Sequence, residues 1–178
     1  MTVRRSNRRF LIGRRSRFGL GIAASILLST SADAAKLVEK SGDWSMFSHD
    51  AAQKRICFVA TQPSSSTPKD AKREQAFFYI SAWPKDGVKS EVSILLGYPI
   101  KKGSDVTVTV GSASFKLFAQ GDKAFVANPN DELKLIEAMK RGSTMDVAAT
   151  AEAGFETQDK FSLSGITAAL KNLGSKCE

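Results

Sequence analysis

From Asp43 onward, apolar and polar residues alternate along much of the chain. Period two is the mark of strands with one buried face. Asp43–Ser48 sets Trp44 and Met46 against Asp43 and Ser45. Arg55–Thr61, with the apolar run Ile56-Cys57-Phe58-Val59, is the second strand, with 49–54 as the hairpin loop between them. Residues 35–42 read as a polar lead-in, and Pro63–Asp70, rich in Pro, Ser and Thr, as a surface loop. Ala76–Trp83 is aromatic and carries large side chains at both parities, which suits a central strand. Pro84–Lys89 turns the chain into a strand over Glu91–Tyr98. Val106, Val108 and Val110 alternate with Thr107 and Thr109, and short turns at Gly111 and Gly121 lead into strands near Phe115–Ala119 and Ala124–Ala127. Three strands joined by tight turns predict a meander. Val147–Ala151 and Phe155–Leu163 supply two more.

Two segments switch to helical spacing. Asn128 can cap a helix with Pro129 at its first position, where the missing N–H costs nothing. Asp131 and Glu132 suit its N-terminal end and Lys140 and Arg141 its C-terminal end, with Gly142 available for a left-handed cap. Leu133, Leu135, Ile136 and Met139 make its apolar side. A second helix follows Ser164 as cap, with Ile166, Ala169, Leu170 and Leu173 on one stripe and Gly174 at its end. Seven to nine short strands with two short α-helices predict a mainly β fold. The expected form is an antiparallel β-sandwich or partly closed barrel, one domain over residues 35–178.

Residues 1–34 have a different character and read as a signal peptide. Seven arginines precede an apolar run from Phe18 to Leu28, and Ala32-Asp33-Ala34 gives a small-x-small cleavage pattern, with the cut between Ala34 and Ala35. The run falls short of the roughly 20 apolar residues of a membrane span. No cysteine precedes Cys57, so no lipid-attachment site is present. Arg8-Arg9-Phe10-Leu11 lacks the spacer of a twin-arginine signal, and Arg14-Arg15-Ser16-Arg17-Phe18 has its Phe one place late, which favours the Sec route. The expected location is the periplasm or the exterior, with no transmembrane anchor in the mature chain.

The leader also accounts for the charge. The whole chain carries +8, but residues 35–178 hold 19 basic and 17 acidic side chains, a formal +2. A nucleic-acid binder needs its cations on the folded part, because counterion release supplies most of its affinity. That class is set aside.

Cys57 and Cys177 are the only cysteines, and outside the cytoplasm an even pair predicts one disulfide. It pins a late segment onto an early strand.

Catalytic patterns are sparse. His49, beside Asp50, is the sole histidine and is expected to be solvated, so multi-histidine metal sites are excluded. No nucleophile elbow, zinc-protease or phosphate-loop motif occurs. Asp43, Asp50, Glu91 and Asp122 fall in strands and turns without marking a general acid and base. The chain is therefore expected to have no catalytic residues, no cofactor and no metal. Trp44, Phe77, Phe78, Tyr79 and Trp83 are read mainly as core, with a stacking platform for sugars or bases, or an exposed apolar patch for a partner, as the other readings.

The ordered set Gly42-Asp43-Trp44, Cys57, Glu91-Val92-Ser93, Gly97-Tyr98-Pro99, Glu137-Ala138-Met139-Lys140-Arg141-Gly142, Phe161-Ser162-Leu163-Ser164-Gly165, Ala169-Leu170 and Cys177 resembles the invasion-associated locus B family of exported Gram-negative proteins. The likeness runs from about Gly42 to Cys177. The chain departs from the family pattern at Ala153-Gly154-Phe155, where an Arg-Gly-Thr stretch is expected, and at Ala124-Phe125, where Ala-Trp is expected. The resemblance implies an exported, non-enzymatic, envelope or host-facing protein, with a role in host-cell invasion behind the family name. It supplies no site. The reading is a disulfide-stapled binding protein with an unidentified protein partner in the envelope or on a host surface. The alternative is a periplasmic small-ligand-binding protein or an enzyme with an unrecognised site.

Overall fold

The computed structural model describes residues 34–51, 54–69 and 71–177. The putting-out signal expected over 1–34 therefore lies almost wholly outside the described residues; only Ala34 and Ala35, at the expected cut, are seen, and both are exposed.

Strand β1 is Lys36–Ser41, β2 Trp44–Ala51, β3 Lys54–Thr61 and β4 Ser65–Thr67. Then come β5 (Phe77–Trp83), β6 (Val88–Leu95), β7 (Asp105–Val110), β8 (Ala113–Gln120) and β9 (Lys123–Phe125). Helix α1 (Pro129–Arg141), β10 (Thr144–Thr150), β11 (Glu156–Ser162) and α2 (Ile166–Lys176) complete the order. All the strands join one antiparallel sheet, β1-β2-β3-β5-β6-β9-β8-β7-β10-β11-β4. The predicted meander is its β7-β8-β9 stretch.

The sheet rolls up without closing, as a partly closed barrel does. Inward residues of its first half (Trp44, Val59, Phe78, Ile80) and of its second (Val108, Met145, Val147, Phe161) share one core. Phe78 stands edge-on to Phe161 with ring centroids 5.9 Å apart. Where β2 meets β11 there is no ladder. Single bonds bridge the seam: Trp44 Nε1 donates to the Ser162 carbonyl at 3.1 Å, and the Asp43 N–H to the Ser164 carbonyl at 3.0 Å. Two glycines permit this approach. A Cβ on Gly165 (φ +91°) would lie 2.0 Å from the Ser41 oxygen, and one on Gly42 (φ +58°) 2.5 Å from the Ser164 oxygen.

Both helices pack on the inner side of the roll. Leu135, Ile136 and Met139 of α1, and Ile166, Ala169 and Leu173 of α2, join the strand residues in the core. Asn128 caps α1, its side chain accepting from the Asn130 N–H at 2.8 Å.

The structure corrects several local expectations. The lead-in over 35–42 contains β1, because its backbone pairs with β2 despite a polar sequence. The loop expected over 49–54 is mostly strand, and His49 pairs with Ile56 in the ladder. The surface loop over 63–70 contains β4, which pairs with β11 through backbone groups its side chains do not advertise. Leu133 is 58% exposed, because it falls on the side of α1 away from the buried stripe of Leu135, Ile136, Ala138 and Met139. Gly142 is extended rather than left-handed; a side chain there would meet Val110 Cγ1 at 2.6 Å. Gly165, not Ser164, is the N-cap of α2, and the helix runs through Gly174 to Lys176.

Candidate functional site

Cys57, on the inner side of β3, is disulfide-bonded to Cys177 just after α2, with a Cα–Cα distance of 5.8 Å. Both are buried. Beside the bond lies a mostly apolar recess of about 470 Å³ between Pro84, Val88, Leu173 and Cys177.

Among the described residues one ion pair lies in the interior, and the sequence reading missed it. Arg73, from the segment leading into β5, donates from Nη1 to Asp159 Oδ2 at 2.7 Å and from Nη2 to Asp159 Oδ1. Asp159 is fully buried and Arg73 nearly so. Its guanidinium lies 5.9 Å from the centroid of the Tyr98 ring. Tyr98 in turn shares a hydrogen bond with Thr157. The aspartate's hydrogen bonds raise the Arg73 pKa further, and burial raises that of Tyr98. A signal for half of this was present: Asp159 shares the inward parity of Thr157 and Phe161. The arginine comes from a segment with no periodicity, held by the Glu74 N–H donating to the Gly97 carbonyl at 2.9 Å. With the Tyr98 ring beside it and Nη1 also donating to the Leu96 carbonyl at 3.4 Å, Arg73 ties the segment before β5 to Asp159 on β11.

The outer face is different. The five aromatics weighed together in the sequence separate by parity. Trp44 and Phe78 are fully buried core, while Phe77, Tyr79 and Trp83 are half-buried on the outside. Phe47, Phe58 and Phe125 join them there, and Phe118 is 47% exposed. Phe47 stacks on Phe58 at 5.2 Å, Phe58 meets Tyr79 edge-on at 5.8 Å, and Phe77 stacks on Tyr79 at 5.6 Å. Aromatic pairs of this kind contribute about 0.5–1.5 kcal/mol each beyond area burial. They also leave an apolar band on the outer face, while both helices pack their buried faces against the inner one.

Within that band is a cleft of about 250 Å³ walled by Phe58, Tyr79, Trp83 and Phe125. The register explains its shape. Ser93 on β6 stands between Tyr79 on β5 and Phe125 on β9, and Ser81 lies between Phe58 and Glu91. Two small residues thus form a floor between aromatic walls, with the walls two strand spacings, about 9.5 Å, apart. Glu91 and Lys123 supply one charge of each sign. Burial pushes the Glu91 carboxyl above its ordinary range, and the nearby Glu132 carboxylate adds to this. Burial also raises the Tyr79 phenol. A larger cleft of about 390 Å³, bordered by Lys40, Asp43, Phe47 and Thr61, lies along the same face near the seam.

The remaining expected candidates do not converge. Asp50 pairs with Arg55 at 2.9 Å, which holds its carboxyl below the usual range. Asp43 and Asp122 are exposed and apart from Glu91's cleft. His49, expected to be solvated, is half-buried in β2 with Nδ1 enclosed and unbonded, because the strand extends past it. Among the described residues no cluster of His, Cys, Asp or Glu is placed to hold a metal ion. No helix among them is long and apolar enough to cross a membrane.

These features define a class, a disulfide-stapled β protein whose rolled antiparallel sheet shares one core with two helices packed against it. The chain belongs to the family described as invasion associated locus B (IalB) protein, whose family model matches residues 44–174. The fold is similar to the crystal structure of invasion associated protein b from Bartonella henselae, with a TM-score of 0.57 at 20% identity over 78% of this chain and 95% of that one. No curated protein matches the sequence.

Proposed function

We propose that this chain is an exported, non-enzymatic binding protein of the cell envelope, acting in envelope interaction or host-cell invasion. Residues 1–34 serve as its cleaved signal and 35–178 as its single working domain, placed in the periplasm or secreted. Its partner is a protein of the envelope or of a host surface.

The observation that carries this reading is the aromatic outer face. Large half-buried rings in contiguous patches mark interaction sites, and buried aromatic anchors dominate interface energetics. The interior, by contrast, is packed with apolar side chains, and the Arg73–Asp159 pair within it is buried. The disulfide suits an oxidising compartment. The second reading, a periplasmic small-ligand-binding protein or an enzyme with an unrecognised site, draws on the polar groups gathered in the Tyr79–Phe125 cleft.

Proximity crosslinking on intact cells tests the proposal. The wild-type protein is expected to capture envelope or host-surface components, and a Phe47→Ser/Phe58→Ser variant of unchanged circular dichroism to lose them. Identical capture by both forms would rule out the outer face as the working surface.

A further inference from the structure

The Tyr79–Phe125 cleft has more than apolar walls. The Tyr79, Ser81 and Ser93 hydroxyls, the Glu91 carboxylate and the Lys123 ammonium all border it, and none has a hydrogen-bond or ion-pair partner among the described residues. Polar groups that only decorate a surface point in many directions. Here they line one aromatic-walled recess, a few polar groups among apolar walls, as small-ligand sites have. We propose that this cleft binds an N-acetylated amino-sugar chain carried by the envelope or host-surface partner, an inference that rests on the binding reading above.

The match is chemical. A pyranose has an apolar C–H face for the aromatic walls and a rim of hydroxyls for Ser81, Ser93 and Tyr79. An N-acetyl group adds a methyl for the walls, an N–H for Glu91 to accept and a carbonyl for Lys123 to donate to. Glu91 is held half-buried with its pKa raised, so a donor from the ligand relieves its lost hydration. Other occupants fit less well. A lipid surface would bury Glu91 and Lys123 without partners. A nucleotide could stack on the same rings, but its phosphates need a surplus of cations, and here one lysine faces one carboxylate.

Trp83 reports on the site directly, because the chain has only two tryptophans and Trp44 is sealed in the core. The experiment is a fluorescence titration of the protein recovered from exporting cells with the β-1,4-linked tetrasaccharide of N-acetylglucosamine. The corresponding glucose tetrasaccharide serves as comparison. Saturable binding is expected, at least tenfold tighter for the N-acetylated chain. Phe125→Ala is expected to weaken it at least tenfold. Ser93→Val fills the floor with a residue that strands accept readily, so it should abolish binding while the thermal transition stays in place. Absence of binding at millimolar tetrasaccharide, equal binding of the two sugars, or binding unaffected by Ser93→Val would each overturn the proposal. The crosslinking experiment separates the two readings. Face-dependent capture of a protein without tetrasaccharide binding removes the sugar and keeps the binding role; loss of both removes both.

Discussion

Asp159 shows what a single buried charge does to this fold. With no exposure of its own, it is tolerable only because Arg73 meets it with two charge-assisted bonds. Removing one partner leaves the other desolvated, which costs about 3–5 kcal/mol, while an apolar replacement of both is far milder. Asp159→Ala should therefore lose about that much in urea unfolding, and Arg73→Met/Asp159→Leu much less. A near-neutral Asp159→Ala would show that the pair does not hold the roll. Glu91 has the opposite sense. Its pKa is raised in the folded protein by burial and by Glu132, with Tyr79 and Lys123 as the other ionisable groups in its cleft. The folded state thus holds the proton more tightly than the unfolded one. Its contribution is full below the ordinary carboxylate range and is lost as pH rises through the raised value. Glu91→Gln should raise the melting temperature at pH 7, with the gain fading toward pH 4. A gain that persists unchanged in acid would contradict this sign.

At the scale of elements, packing decides which glycines matter. Gly165 sits where its Cβ would strike the Ser41 carbonyl, at a left-handed φ, whereas Gly174 lies inside α2 with open space around it. Gly165→Ala is expected to cost at least about 1–3 kcal/mol through backbone strain alone. Gly174→Ala is expected to stabilise by about 0.5–1 kcal/mol, because helix interiors favour alanine. Thermal denaturation of the two variants side by side checks both signs. The sequence shows two glycines near one helix and no means of ranking them. The same holds for strands. Val106–Val110 is legible because its polar face is wet, and α1 because Asn128-Pro129 announces it. The strand β4 is not, since Ser65–Thr67 has no apolar side and is held by backbone pairing to β11 alone. Phe77–Trp83 is legible as a strand but not as an orientation. Large residues occupy both faces, so only the assembled sheet tells Phe78, inside, from Tyr79, at the cleft. Ser93 becomes a cleft floor only through its neighbours on β5 and β9, a relation between distant segments.

For the whole molecule the disulfide is the longest covalent constraint, spanning a sequence separation of 120. In the chain-entropy model such a loop adds about 4–5 kcal/mol as an upper figure. A Cys57→Ala/Cys177→Ala variant should lose a large part of that in denaturant unfolding. Intact mass after alkylation without reductant should show no labelled cysteine in the wild type, and two labels would remove the staple.

The seam has a consequence in time. Trp44 is seated by a bond to Ser162, 118 positions later. At about 5–20 residues per second, a ribosome needs roughly 6–24 s to supply that partner. During this interval the strands around Trp44 and Phe78 have no opposite wall, and their inner rings face water. A nascent chain kept open this long offers chaperones an unlocked substrate. The roll latches only when its late segments arrive.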